Sequence, residues 1–189
     1  METNTHSKSL HHIHINPAGM VFFFSVMTMI IINKVDPTTL DQLKDWCKSK
    51  VDICEKMGST YANNRSTLWL FHKVDLRNGK VSAGYRDDRI TAFCQKVYPG
   101  CDIGLLSIHI DGISSGIIKA HRDHGYGQPT ARGVNLGNCV FGCDGKDYEL
   151  GDGDITEFNC KKIHEVKQIL TPERFSITLW KFNKGYLPI

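Results

Sequence analysis

Three residues in the C-terminal half carry donor atoms at a spacing that suits a metal ion. His121, Arg122 and Asp123 are consecutive. In an extended strand, residues two apart face the same side. His121 and Asp123 can therefore ligate one ion while Arg122 points away. A third ligand has to come from another strand. His164 is best placed, because it follows Gly151-Asp152-Gly153-Asp154 and the strand-like run Ile155–Phe158. Two imidazoles and one carboxylate, with coordination positions left open, suit Fe(II). Beyond His164 stand Arg174, Ser176 and Thr178, which share one strand face by the same alternation. An arginine inside a β-structure is costly unless it meets an anion. A dicarboxylate would supply that anion, forked by Arg174 with Ser176 adding a hydroxyl.

Other polar residues fall near this set. Ser107 and His109 share a face of the preceding strand-like run and can reach the same ligand, or simply fill a barrel interior. His124 adjoins the His-x-Asp pair and is either close to the substrate or a loop residue past the strand. Tyr126 and Gln128 lie in a Gly-containing stretch that can cover the metal or form a plain turn. Asn135, with Arg132 on the same candidate strand, can donate to an acidic ligand. A structural reading is also open: a surface His121–Asp123 pair, a core His164 and a salt-bridged Arg174. A further rival uses Cys139-x3-Cys143 with Cys160-x3-His164, a spacing compatible with structural zinc.

The elements that must position these residues are legible in outline. Asp36-Pro37 reads as a helix N-cap followed by proline at the first helical position. Leu40, Leu43, Cys47, Val51 and Cys54 continue at helical spacing toward Gly58. Leu68–Phe71 reads as a strand, Asn78-Gly79 as a hairpin turn, and Asp88–Val97 as a second helix closed by Pro99-Gly100. From residue 102 onward, short apolar runs alternate with Gly, Asp and Asn turns. The candidates are 103–110, 116–123, 131–137, 139–142, 147–151, 154–159, 163–170 and 174–182. Short strands without helical period between them predict a mainly β protein with flanking helices, an antiparallel sandwich or jelly roll.

The order His121-Arg122-Asp123, then His164, then Arg174-Phe175-Ser176 resembles the Fe(II)/2-oxoglutarate-dependent oxygenase superfamily over residues 102–182. The resemblance implies a double-stranded β-helix of the cupin type. It implies Fe(II) on His121, Asp123 and His164, and 2-oxoglutarate on the metal with its far carboxylate on Arg174 and Ser176. It also implies O2-dependent oxidation of a substrate C–H bond, with release of succinate and CO2. Ser107-Ile108-His109-Ile110-Asp111-Gly112 and Arg174-x-Ser176-x-Thr178-x-Trp180 add a fainter likeness to the AlkB-type nucleic-acid demethylases. That group's signature has Asn where Ser176 stands and Arg where Trp180 stands. A cupin-like metal enzyme without 2-oxoglutarate and a zinc-stabilised binding module are the other readings.

Composition sets the remaining bounds. The chain has 189 residues, which suits one domain, and 41% hydrophobic with 23% charged residues excludes a wholly disordered protein. A formal charge of +3 is too small to argue a nucleic-acid partner. Lys73, Arg77, Lys80, Arg86 and Arg89 can form a basic track, but Asp75, Asp87 and Asp88 interrupt it. A small molecule, an amino acid or a peptide is the expected substrate class. Seven cysteines, an odd number, read as reduced thiols in a cytoplasmic protein. Residues 1–19 are polar and His-rich, and are expected to be a disordered tail. Met20–Ile32 is too short to span a bilayer and is expected to be a buried strand. Residues 20–189 then form the oxygenase domain, with 20–101 supporting the β-rich core at 102–182. The oligomeric state is left open.

Overall fold

The computed structural model describes residues 13–15, 21–23, 28–56, 60–111, 113 and 116–186. In chain order the elements are β1 (Ile13–Ile15), β2 (Val21–Phe23), β3 (Met29–Lys34), α1 (Pro37–Lys48), β4 (Glu55–Lys56), β5 (Ser66–Leu70), β6 (His72–Val74), β7 (Val81–Ala83) and α2 (Asp88–Val97). There follow β8 (Ile103–Ile110), β9 (Ile118–His121), β10 (Gly127–Leu136), β11 (Cys139–Cys143), β12 (Lys146–Leu150), β13 (Asp154–Asn159), β14 (His164–Ile169) and β15 (Glu173–Phe182).

Two antiparallel sheets make the jelly roll. The larger has the order β3-β13-β10-β15-β8-β5-β4, and the smaller β12-β11-β14-β9. Both helices start where the sequence predicts. The Asp36 carboxylate accepts from the Thr39 N–H at 3.0 Å, and Asp87 accepts from the Arg89 and Ile90 N–H groups. They cover one face of the larger sheet, where Leu106, Ile108, Val134, Phe175, Ile177 and Leu179 pack with Trp46, Ile90 and Cys94. The opposite face of the same strands looks toward the smaller sheet. Gly153, at φ +87°, closes the turn between β12 and β13 in a conformation that glycine adopts without strain.

Several local expectations change. Helix α1 ends at Lys48, short of Gly58, where the Lys50 N–H turns to Cys47 O and the Ser49 hydroxyl donates to Trp46 O. Val51 and Cys54 still pack on the helix-side core, through a 3₁₀ turn at Val51–Ile53. The expected buried strand at Met20–Ile32 is corrected in its described part. β3 is an edge strand bonded to β13 alone, so Met29 is buried while Ile31 and Ile32 are exposed. β1 and β2 pair as a short antiparallel ribbon, and the rest of 1–27 lies outside the described residues. The strand expected at 116–123 is β9 and stops at His121.

Candidate active site

The two sheets enclose a cavity of ≈ 480 Å³. At its metal-competent end, His121 at the end of β9 sits in register with His164 at the start of β14. Their rings are 4.3 Å apart between centroids. Asp123 is not on the strand with His121. It lies in the loop just beyond, where its backbone N–H donates to Cys160 O at 2.9 Å. The His121 and Asp123 side chains still converge there without the ladder.

The hydrogen bonds around the three side chains orient all of them inward. His121 Nδ1 lies 2.8 Å from Lys119 O and His164 Nδ1 lies 3.0 Å from Lys162 O. A carbonyl accepts only, so each Nδ1 carries the proton and each Nε2 keeps its lone pair. Both Nε2 atoms point to Asp123 Oδ1, at 3.6 Å each. The other carboxylate oxygen, Oδ2, accepts from the Trp180 indole N–H at 2.9 Å. The three ligand atoms all lie within 4.8 Å of one another. Hydrogen bonds from the far side of each ligand are the usual means of fixing tautomer and orientation at a metal. Burial and the neighbouring His164 hold the His121 imidazole below its ordinary pKa. Burial raises the Asp123 carboxyl, but its polar surroundings, the Trp180 N–H among them, hold it below the usual carboxylate range. Neutral imidazole beside ionised carboxylate is the protonation state a divalent cation requires. Phe141 and Phe158 pack against the His164 ring and limit water access from that side.

Arg174 lies deeper, on β15. It is 4% exposed. Its Nε donates to Asn135 Oδ1 at 2.9 Å, while its Nη1 is buried without a hydrogen-bond partner. A buried guanidinium N–H left bare is costly, and a carboxylate placed against it would remove that cost. Ser176, one row nearer the metal, pairs in register with Ser107 on one side and Asn135 on the other. The next row pairs Thr178 with Leu105 and Gly133. Thus β15 carries Arg174, Ser176, Thr178 and Trp180 in a line from the depth of the cavity to the Asp123 carboxylate. A side chain at Gly133 would meet Thr156 Oγ1 at 2.9 Å, so this glycine keeps the floor open.

The remaining sequence candidates divide. Ser107 is buried and lines the cavity. His109 is fully buried, and neither ring nitrogen has a partner. Burial and the flanking Arg174 and Arg65 push its pKa down to about 3, so it is neutral. Both Asn135 N–H groups are engaged by Gly137 O and Gly151 O, so it presents its oxygen to Arg174 and has no donor to offer a ligand. Tyr126 is buried edge-on between Trp69 and Trp180 and lines the cavity. His124 is an exposed loop residue stacked on Tyr126. Gln128 is exposed and bonds Phe182 O. Arg132 is held by Glu157 and Val97 O.

Two important residues were not among the site candidates. Trp180 gave a partial signal through its alternation with Arg174, Ser176 and Thr178, but its bond to Asp123 depends on a loop 57 residues earlier. Arg65 gave none. It precedes β5 and enters the cavity only through tertiary packing.

The cysteine alternative does not assemble. Cys139, Cys143 and Cys160 approach Asn135 Oδ1, Thr28 O and Gln128 O respectively. Among the described residues, the one cluster able to hold an ion contains no cysteine. Burial and the nearby Asp123 push the Cys160 thiol up to about 12. All seven cysteines are free. Much of the candidate basic track is occupied as well: Lys73 pairs with Glu55, Arg77 with Asp75 and Arg89 with Asp87. Among the described residues, no helix is long and apolar enough to cross a membrane.

No family model and no curated protein matches the chain. Solved structures do. OsALKBH1 aligns with a TM-score of 0.60 at 16% identity, covering 82% of this chain and 96% of that one. A Trichoplax adhaerens prolyl hydroxylase, solved with a hypoxia inducible factor oxygen degradation domain peptide, aligns with a TM-score of 0.62 at 13% identity, covering 85% and 86%. A Pseudomonas putida prolyl-4-hydroxylase aligns with a TM-score of 0.55 at 14% identity, covering 84% and 94%. The chain has the fold of the 2-oxoglutarate–Fe(II) oxygenases. Within that jelly roll, its His-Asp-His cluster lies between the two sheets.

Proposed function

We propose that this protein is an Fe(II)- and 2-oxoglutarate-dependent dioxygenase that oxidises a C–H bond of a small molecule, amino acid or peptide, its catalytic domain spanning residues 20–189. One observation carries the reading. A single cavity holds three inward-facing ligand atoms at one end and, on the facing sheet, a buried Arg174 with a bare Nη1 at the other. His121, Asp123 and His164 would hold Fe(II). Arg174 would take the far carboxylate of 2-oxoglutarate, with the Ser176 and Ser107 hydroxyls beside it. Bound together with O2, these groups supply an oxidative decarboxylation to succinate and CO2 and the oxidant for the C–H bond.

The chain's own residues do the positioning. Trp180 holds Asp123 so that one oxygen faces the metal position. Lys119 O and Lys162 O fix both imidazoles in the ligating tautomer. Asn135 anchors the Arg174 guanidinium and leaves its Nη1 for the co-substrate. The apolar walls from Phe141, Phe158, Leu105 and Trp69 exclude water, which strengthens each charge interaction inside.

An anaerobic titration of metal-free protein with Fe(II), then 2-oxoglutarate, tests this reading. A weak visible charge-transfer band should need both additions and be lost in His121→Ala and Arg174→Met. Iron binding without a band would replace this reading with a cupin-like metal enzyme that uses no 2-oxoglutarate.

A further inference from the structure

Asp123 is held differently from the other two ligands. His121 and His164 sit on paired strands, whereas Asp123 lies in the loop between β9 and β10. Backbone groups in a loop without a ladder have to be satisfied from outside. Here Asn183 and Lys161 do it from opposite ends. The Asn183 side-chain amide donates to Gly125 O and to Gly127 O, the latter at 2.9 Å, and its main-chain N–H donates to Tyr126 O at 2.8 Å. That fixes the half of the loop farther from the ligand. The nearer half belongs to Lys161, whose ammonium donates to His124 O and lies 3.5 Å from Asp123 O.

Lys161 is placed for this by the turn between β13 and β14. The turn is pinned to the start of β10: the Cys160 N–H donates to Pro129 O at 2.9 Å and the Cys160 thiol to Gln128 O at 3.3 Å. Within the turn, the Lys161 N–H donates to Asn159 Oδ1 and the Lys162 N–H to Asn159 O, each at 3.0 Å. Three consecutive residues of this turn then reach the ligand set. Cys160 O accepts from the Asp123 N–H, the Lys161 ammonium meets the Asp123 and His124 carbonyls, and Lys162 O accepts from the His164 ring.

Two of these contacts come from main-chain carbonyls, and any residue could make them. The Lys161 contact needs its side chain. Two successive carbonyl oxygens converging on one point repel each other unless donors lie between them. An ammonium, with three donors and no acceptor, suits that place. Without it, the chain just past Asp123 would keep the Cys160 bond on one side and lose its fixed point on the other.

We propose that Lys161 is a positioning residue for the metal centre. Its ammonium locks the main chain past Asp123, so that the carboxylate keeps one oxygen toward the two imidazoles and the other on the Trp180 indole. This inference rests on the metal-binding part of the proposed function. The sign of the effect separates positioning from plain electrostatics. A lysine's charge opposes the arrival of a nearby cation. Removing Lys161 would tighten metal binding if charge were all that mattered, and loosen it if the ammonium's bonds hold the ligand in place.

The test titrates metal-free wild type, Lys161→Met and Lys161→Arg with Mn(II), read by the electron paramagnetic resonance of the free ion. Lys161→Met should weaken Mn(II) binding about tenfold. Lys161→Arg, which keeps the charge and several donors, should recover most of that loss. The urea denaturation midpoints of all three should agree closely. A second readout needs no metal. The Trp180 indole proton resonance, identified by its loss in Trp180→Phe, should move upfield in Lys161→Met as its bond to the Asp123 carboxylate lengthens, and stay in place in Lys161→Arg. Unchanged or tighter Mn(II) binding in Lys161→Met overturns the proposal. So does an unmoved indole resonance, a loss that Lys161→Arg does not recover, or a Lys161→Met protein that fails to fold, which would make the role structural. If wild type itself binds no Mn(II), the metal-centre reading fails, and the indole resonance alone decides whether Lys161 holds the Asp123 loop.

Discussion

The two faces of β15 are made from alternate residues of one strand, yet they do opposite work. Phe175, Ile177 and Leu179 point to the helices and are 3%, 0% and 0% exposed. Arg174, Ser176, Thr178 and Trp180 point into the cavity. The helix-side face is held by apolar burial, which tolerates no missing volume. The cavity side is polar and incompletely satisfied, with bare nitrogens on Arg174 and His109. A fully packed face lets its reverse carry groups that would destabilise a small domain by themselves. The comparison teaches that stability and chemistry are segregated by strand alternation rather than by region of sequence.

The largest effects should separate the faces cleanly. Ile177→Ala should cost about 3 kcal/mol of unfolding free energy, read by urea denaturation, while folded protein keeps the Fe(II)/2-oxoglutarate band. Arg174→Met should do the reverse. It should lower 2-oxoglutarate affinity by about 100-fold or more and leave the denaturation midpoint unchanged or higher, since a buried cation is replaced by an apolar chain. If Arg174→Met unfolds the protein instead, the cavity face is structural and the contrast is wrong.

Trp180→Phe sharpens the comparison at the metal end. It keeps the ring that packs on Tyr126 and removes the N–H that holds Asp123. Fe(II) affinity should drop roughly 10–100-fold, with little change in stability. An unchanged metal affinity would show that the indole bond does not orient the carboxylate.

The His109 effect is the smallest at neutral pH and grows only in acid. The folded-state pKa of His109 lies near 3, below the 6.5 of the unfolded chain. Between those values the unfolded state binds the proton preferentially, so stability falls as pH falls through that window. In metal-free protein, His109→Gln should flatten this part of the stability–pH curve. A wild-type curve that is already flat from pH 6.5 to 4 would contradict a buried neutral His109.

Much of this was legible because it depends on short-range rules. Alternation alone placed Arg174, Ser176 and Thr178 on one face, and the cap at Asp36 follows from local hydrogen bonding. The pairing of His121 with His164 needed only the assumption that two strands meet. Other features were hidden because distant segments create them. Asn135 looked like a ligand donor, but its N–H groups are taken by the carbonyl of Gly137, two residues on, and by that of Gly151, which the β12–β13 turn brings near. The zinc-compatible cysteine spacings were local too, but the register of β11 with β14 and the turn at Cys160 send those thiols to separate acceptors.

The sequence by itself determined the residue types of the His-Asp-His cluster, the buried arginine and the alternating pattern that makes a jelly roll. These are consequences of side-chain chemistry and the two-residue period of a strand. Only the tertiary structure decided that Trp180 holds Asp123, that Arg174 keeps a bare N–H, and that Arg65 shares the same cavity. Each of those depends on which strands become neighbours, and that choice is made by the packing of the whole core rather than by any local run of residues.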